Sequence, residues 1–502
     1  MKKKICFLIN KNFLQFGIAK YFQSNNDFEL YALIDDDPNL KNFFEKQDFV
    51  KFKKTIFLND FSSDKKPDMD YLKKIEKNYN INLWDIAYTD RIFYSKYNKF
   101  YKFSHDEILS IIERDCRCFE NIFDTINPDY VLIATITGHH ELLFNKMSNS
   151  KNISTLSLEP VRFNDRYYIA KGVYNEDEKI FTIQKSTKKR TSKELETFLH
   201  SHKPAQSHIN NANHKNKISK WKKSKALLQF LISKKTNSTN LYSNFGKTKL
   251  NILTKGTAHS HEKQNQKRQL FIDKNFVKKI NTEDKYVYFP LHEEPEKVLL
   301  MGAKYFTEQL AIIINIAKSL PLGYWLYVKE HPVMRIPGWR DKYYYQQIMD
   351  LPNVKLIHPN ISQELVIKNC SLVITIRGTV AIESTILQKP SIVFSEDYGW
   401  SSIPSIEKIE KFSELPDLIK KSLTKNVTSS DIDDFMEFVE NDSFNFEIDR
   451  IVADVAKYFQ YSIGYMKKPP IDGKTMELFL NNLQNDFNFV GNKFLEKINQ
   501  LN

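Results

Sequence analysis

The side chains in this 502-residue chain that could do chemistry gather in four short motifs, each following an apolar run of strand length. In Arg377-Gly378-Thr379, with Glu383 and Ser384 after it, Gly378 admits close backbone approach and a helix start offers N–H groups that suit a phosphate. Arg377 would add a charge-assisted contact. Thr379 and Glu383 stand four apart and share a helix face, so the hydroxyl can reach a phosphate while the carboxylate accepts ribose hydroxyls. In Lys329-Glu330-His331-Pro332, proline fixes the chain, and a positioned imidazole can bind or protonate a phosphate oxygen as a nucleotide departs. His292, within Pro290-Leu291-His292-Glu293-Glu294-Pro295-Glu296, and His358-Pro359 complete the set. Gly-Thr before a helix is by itself a common cap, and a lone His after a strand is more often structural. The motifs gain weight together, because ligands of open parallel sheets bind beyond the carboxyl ends of the strands.

The elements that must hold these motifs alternate strand and helix. The pattern predicts strands Tyr286–Phe289, Trp325–Val328, Val354–Ile357, Leu372–Ile376 and Ser391–Phe394. Helices Tyr305–Ser319, Tyr343–Met349, Gln363–Lys368 and Thr379–Leu387 fall between them, which is the grammar of a doubly wound sheet. The N-terminal part reads similarly: strand Lys4–Ile9, helix Phe13–Phe22, strand Phe28–Ile34, a helical stretch over Ile108–Ile126, strand Tyr130–Ile136, a helix, and strand Ile153–Leu158. Length supports two cores, since single cores stop growing at roughly 250–300 residues. The expected organisation is a Rossmann-like domain over 1–210, a basic insertion over 211–280, a second Rossmann-like domain over 281–465 and a helical tail over 466–502. The tail's apolar residues recur at helical spacing and could pack back across the first domain.

The net charge of +13 sits entirely in Asn211–Leu270, where 13 Lys and one Arg face a single acid. A chain that is neutral elsewhere is not a dispersed nucleic-acid binder, and lysines without a stacking motif make a poor nucleic-acid site. Within this segment Ile218–Ile232 has the composition of an interfacial amphipathic helix, although a surface helix in a solvated linker explains it equally well. No secretory signal is visible after Met1, and no run approaches the ~20 apolar residues of a spanning helix. Four cysteines fit a reducing cytoplasm, and Cys116-x-Cys118 lacks the second ligand pair of a zinc site.

The series Phe289-Pro290-Leu291-His292, Val328-Lys329-Glu330-His331-Pro332, Pro352-Asn353-Val354 and Ile376-Arg377-Gly378-Thr379 with Glu383 and Lys389-Pro390 resembles the capsule polysaccharide biosynthesis protein family. That family includes the Kdo transferases that start capsule linkers. The resemblance covers Tyr286 to Phe394 well; the first half matches loosely, through Pro128-Asp129-Tyr130 and Glu159-Pro160-Val161-Arg162. It implies a GT-B-like α/β fold whose second domain holds a nucleotide-sugar donor. His331 and Pro332 would sit at the donor phosphate, Gly378, Thr379 and Glu383 around phosphate and ribose, with Lys329 and His292 flanking. Arg377 and Ser384 depart from the family's small or uncharged residue before Gly-Thr and Ala after Glu, which bears on donor identity.

A GT-B enzyme usually places a catalytic carboxylate or imidazole on its first domain, and His139, His140 and Glu141 are the best placed, with Glu159 and Asp165 near Arg162 as runners-up. For each, a helix-start or turn role is at least as common as a catalytic one. The expected activity is transfer of a sugar, with a CMP-linked ulosonic acid favoured by resemblance, to a glycan or lipid-linked acceptor, without metal or cofactor. The basic segment would meet an anionic membrane surface from the cytoplasmic side, and no nucleic-acid partner is expected. A polymer glycerophosphotransferase or nucleotide-sugar 2-epimerase on the same fold is the enzymatic alternative, and a basic scaffold or nucleic-acid-binding protein the non-enzymatic one.

Overall fold

The computed structural model describes residues 2–501 except 25–26, 36–37, 64, 95–100, 163–165, 174–184, 202–257, 295, 337, 397–398 and 460–470. The expected amphipathic helix Ile218–Ile232, Asp165 and Pro295 lie outside the described residues. Among the described residues no helix is long and apolar enough to cross a membrane.

In the first half, β1 (Lys3–Ile9), β2 (Phe28–Ile34), β3 (Lys54–Phe57), β4 (Tyr130–Ile133) and β5 (Ser154–Pro160) run parallel in the order β3-β2-β1-β4-β5. An antiparallel strand, β6 (Arg166–Lys171), lies beside β5. β1 is central because both of its faces are apolar. Ile5, Phe7 and Ile9 enter one core and Cys6 and Leu8 the other, which is the two-residue period of a strand. The long helix His105–Thr125 covers the second face and starts at a capping box formed by Ser104 and Glu107.

In the second half, β7 (Lys285–Pro290), β8 (Tyr324–Lys329), β9 (Val354–Ile357), β10 (Leu372–Thr375), β11 (Ser391–Val393) and β12 (Ile406–Lys408) are all parallel, in the order β9-β8-β7-β10-β11-β12. Its strand order reverses between β7 and β10, so a crevice opens beyond their carboxyl ends. The chain then returns: β13 (Phe444–Asn445) pairs antiparallel with β6 of the first sheet. Helices Gly473–Asn482 and Gln484–Gln500 bury Met476, Phe479, Phe487, Val490 and Phe494 in the core of Ile5 and Phe7. Glycine allows this close packing, since a Cβ on Gly491 would lie 2.4 Å from the Tyr21 ring and one on Gly17 2.4 Å from Phe487. The molecule is therefore a GT-B-like pair of doubly wound domains with C-terminal helices packed back on the first.

Some segments fall on the other side of the expected divisions. Helix Ala258–Asn275, expected within the basic insertion, belongs to the second domain, because Ile272 and, just beyond it, Phe276 enter the core of Val287 and Phe289. Helix Ser192–Ser201 also packs there, with Leu195 against Ala381 and Ile382. The return to the first sheet comes at Phe444, ahead of the expected boundary at 466. The helix expected from Tyr305 starts at Gln309, and Tyr305 itself is exposed.

Candidate functional site

The switch point of the second sheet brings His292, beyond β7, next to the turn after β10. His292 Nε2 lies 3.2 Å from Thr375 Oγ1 and accepts the Arg377 N–H at 3.4 Å. A nitrogen that accepts is unprotonated, and burial, with the charges of Arg162, His331 and Arg340, holds this imidazole well below the usual histidine range. Gly378 is required here: a Cβ would stand 2.6 Å from Thr375 Oγ1 and 3.3 Å from His292 Cε1.

Lys329 ends β8 and is 4% exposed, yet its ammonium makes no hydrogen bond or ion pair with the described residues. Burial pushes its pKa down to about 8, and the Glu383 charge only partly offsets this. Glu383 accepts from Gln363 at 2.7 Å and from Thr379 Oγ1 at 3.3 Å; burial raises its carboxyl above the usual range despite those bonds and Lys329. Tyr288, fully buried on neighbouring β7 and close enough for the Glu383 charge to act on it, has a hydroxyl with no hydrogen-bond partner among the described residues. A buried ammonium and hydroxyl left open beside a carboxylate form a polar cluster whose chemistry suits an anionic, hydroxyl-bearing ligand.

The turn carrying His331 is rigid. Glu330 is fully buried and accepts from Arg340, from the His331 N–H at 2.6 Å and from Tyr345 at 2.7 Å. Pro332 opens a short 3-10 helix, and His331 Nδ1 caps it by accepting from Val333 N–H at 3.3 Å. In the neutral ring the proton then belongs on Nε2. Arg377 and Ser384 turn elsewhere. The Arg377 guanidinium lies against Gly302, where a Cβ would meet its Nη1 at 2.0 Å, and the Ser384 hydroxyl donates to Ala381 O at 2.7 Å. His358, beyond β9, meets Asp273 at 3.0 Å.

On the first domain, most of the expected polar residues are engaged internally. His139 is fully buried with Nδ1 2.8 Å from Asp90 and Nε2 2.9 Å from Asp115, which also pairs with Arg114 at 2.6 Å. Burial lowers the His139 pKa, but the bonds to Asp115 and Asp90 outweigh it and raise the value to about 9. Glu141 accepts from Thr137 N–H at 2.5 Å and Gly138 N–H at 2.9 Å, the geometry of a helix cap. His140 differs: both ring nitrogens lack a hydrogen-bond partner among the described residues, with Asp35 and Glu141 each 3.9 Å from Nε2.

Where the two domains meet, Lys297 Nζ lies 2.6 Å from Glu159 Oε2, Lys304 Nζ 2.9 Å from Asp85, and Arg162 Nη1 donates to Arg377 O at 2.9 Å. Arg162 does so from a left-handed backbone, φ 61°, a conformation non-glycine residues rarely keep without a constraint. Val161 and Tyr168 also share an apolar cluster with Ala381 and Ile382. Lys297 and Lys304 carry no local signature, so only tertiary placement marks them as cleft residues.

No family model matches the chain, and no curated protein matches it. Solved structures that align with it include UDP-GlcNAc 2-epimerase from Methanocaldococcus jannaschii, at 13% identity over 88% of this chain and 100% of that one, with a TM-score of 0.23. The S. aureus MnaA–UDP co-structure aligns at 12% identity over 94% of this chain and 100% of that one, TM-score 0.25. The beta Kdo 2,7 transferase KpsC of Thermosulfurimonas dismutans aligns at 10% identity over 63% and 79%, TM-score 0.29. The fold assignment rests on the two sheets themselves.

Proposed function

We propose that this chain is a nucleotide-sugar-dependent glycosyltransferase of surface or capsular polysaccharide synthesis, with a CMP-linked ulosonic acid such as Kdo as the favoured donor and a glycan or lipid-linked acceptor. The observation that carries this reading is Lys329, a buried ammonium without an ion-pair partner among the described residues, at a strand end beside the switch point. Burying a charge without a partner is costly, so such a site is kept where a ligand supplies the opposite charge. A donor phosphate does so. His331, its ring oriented by Val333 N–H, then offers Nε2 to the phosphate oxygen that gains charge as the sugar leaves, while Glu383 and Thr379 receive ribose hydroxyls. Gly378 lets the turn close on Thr375 and His292, and Arg162 brings first-domain charge to the same turn.

Calorimetric titration with CMP, UDP and CDP tests the reading, and binding of at least one is expected. Glu383→Gln should weaken that binding by about 1.5–3 kcal/mol, the worth of a hydrogen bond to a charged group. His331→Ala should mainly slow donor turnover, roughly 10²–10⁴-fold, because charge on the departing phosphate peaks in the transition state. If all three nucleotides fail to bind the parent protein, the assignment is wrong.

A further inference from the structure

We propose that Glu293 is the general base of the transfer, taking the proton of the acceptor hydroxyl as it attacks the donor sugar. The assignment rests on the transferase reading and goes beyond it, because it puts the base on the second domain. Glu293 follows His292 in the loop beyond β7, at the switch point of the second sheet. Its chain neighbours are held firmly. The His292 N–H donates to Gln309 at 2.7 Å, its carbonyl accepts from Arg340, and the Glu294 carboxylate accepts from Gln309 at 2.7 Å. The Glu293 carboxylate, half-buried between them, makes no hydrogen bond or ion pair with the described residues. A fixed backbone with an uncommitted carboxylate is the arrangement a proton acceptor needs.

The charges that face it come from three directions: Glu296 on its own loop, Arg340 from the segment behind, and Arg91 from the first domain across the cleft. Burial and Glu296 push the carboxyl up to about 7, against the pull of Arg91 and Arg340. An acid poised there is a stronger base than an ordinary carboxylate and still largely ionised just above neutrality. The first-domain candidates are less available, since His139 is held by two aspartates, Glu141 caps its helix and Glu159 pairs with Lys297. His140 is the remaining rival.

In the step assigned to Glu293, the acceptor oxygen bonds to the anomeric carbon of the donor, and the bond from that carbon to the phosphate oxygen breaks. The bonding electron pair leaves on the nucleotide, the hydroxyl proton passes to a Glu293 oxygen, and Glu293 later returns it to solvent. Water can stand in for the acceptor hydroxyl, so nucleotide release from CMP-Kdo and from UDP-GlcNAc by the full chain reads the step. The parent rate should rise with pH through a midpoint of about 7. Glu293→Gln should lose roughly 10²–10⁴-fold in rate along with that acid limb, and should bind CMP or UDP within twofold of the parent. Glu293→Asp should keep part of the rate with a displaced midpoint. A Glu293→Gln protein that retains rate and limb, or a His140→Ala protein that loses the limb instead, overturns the assignment while leaving the transferase reading intact. A parent protein that binds none of the nucleotides and releases none from either donor overturns both.

Discussion

His139 in the first domain and Lys329 in the second are both buried basic residues near the carboxyl end of a parallel strand, yet their surroundings are opposite. His139 has carboxylates 2.8 and 2.9 Å from its two nitrogens and holds its proton up to about 9. Among the described residues Lys329 has no carboxylate within ion-pair reach, and its value falls to about 8. Comparable burial thus gives opposite shifts, because partners stabilise the charged form and burial alone opposes it. The same contrast runs through the two strand ends. His139, Glu141 and Glu159 are each engaged by other residues, as in a structural brace; among the described residues the Lys329 ammonium and the Tyr288 hydroxyl stay open beside Glu383, as in a binding site.

The largest effect expected from breaking this contrast is structural. His139→Ala leaves Asp90 and Asp115 buried without their shared cation, and breaking a buried pair costs about 3–5 kcal/mol, read as a lower urea midpoint. Because the folded value, about 9, lies above the ordinary histidine value of 6.5, the stabilisation is complete below pH 6.5 and is lost as pH rises through about 9. His139→Ala should flatten that dependence, and unchanged stability would remove His139 from the brace.

Lys329→Met should do the reverse. Replacing an unpaired buried cation by a side chain of similar length should leave the melting temperature equal or higher, while nucleotide affinity drops by about 1.5–3 kcal/mol, the worth of a charge-assisted bond. In the parent protein, nucleotide affinity should also decline as pH rises past about 8, where Lys329 gives up its proton. A destabilised Lys329→Met protein with normal nucleotide affinity would make Lys329 part of the scaffold.

The smallest effect concerns Glu141. Glu141→Ala should cost about 0.5–2 kcal/mol, as loss of a helix cap does, measured by thermal unfolding. A variant that melts like the parent yet no longer turns over donor would return Glu141 to the cleft.

Much of the architecture was legible in the chain. Apolar runs such as Ile5–Ile9 and Leu372–Ile376 must be buried on both faces, which makes them inner strands of parallel sheets, and the spacing of His292, Lys329 and Gly378 follows from one strand per motif. The lysines of helix Ala258–Asn275 give it the composition of the basic segment, while Ile272 and Phe276 anchor it in the second-domain core. The identity of the residues at each strand end was equally readable.

Which partners each of those residues meets is decided only by tertiary contact. The partners of His139 lie 49 and 24 residues away, and the pair Glu159–Lys297 spans 138. Local sequence can bring a histidine or a glutamate to the end of a strand, because periodicity and chain stiffness act over a few residues. Whether its polar atoms are then occupied or left open depends on desolvation and on charges delivered by distant segments, and those are properties of the packed molecule alone.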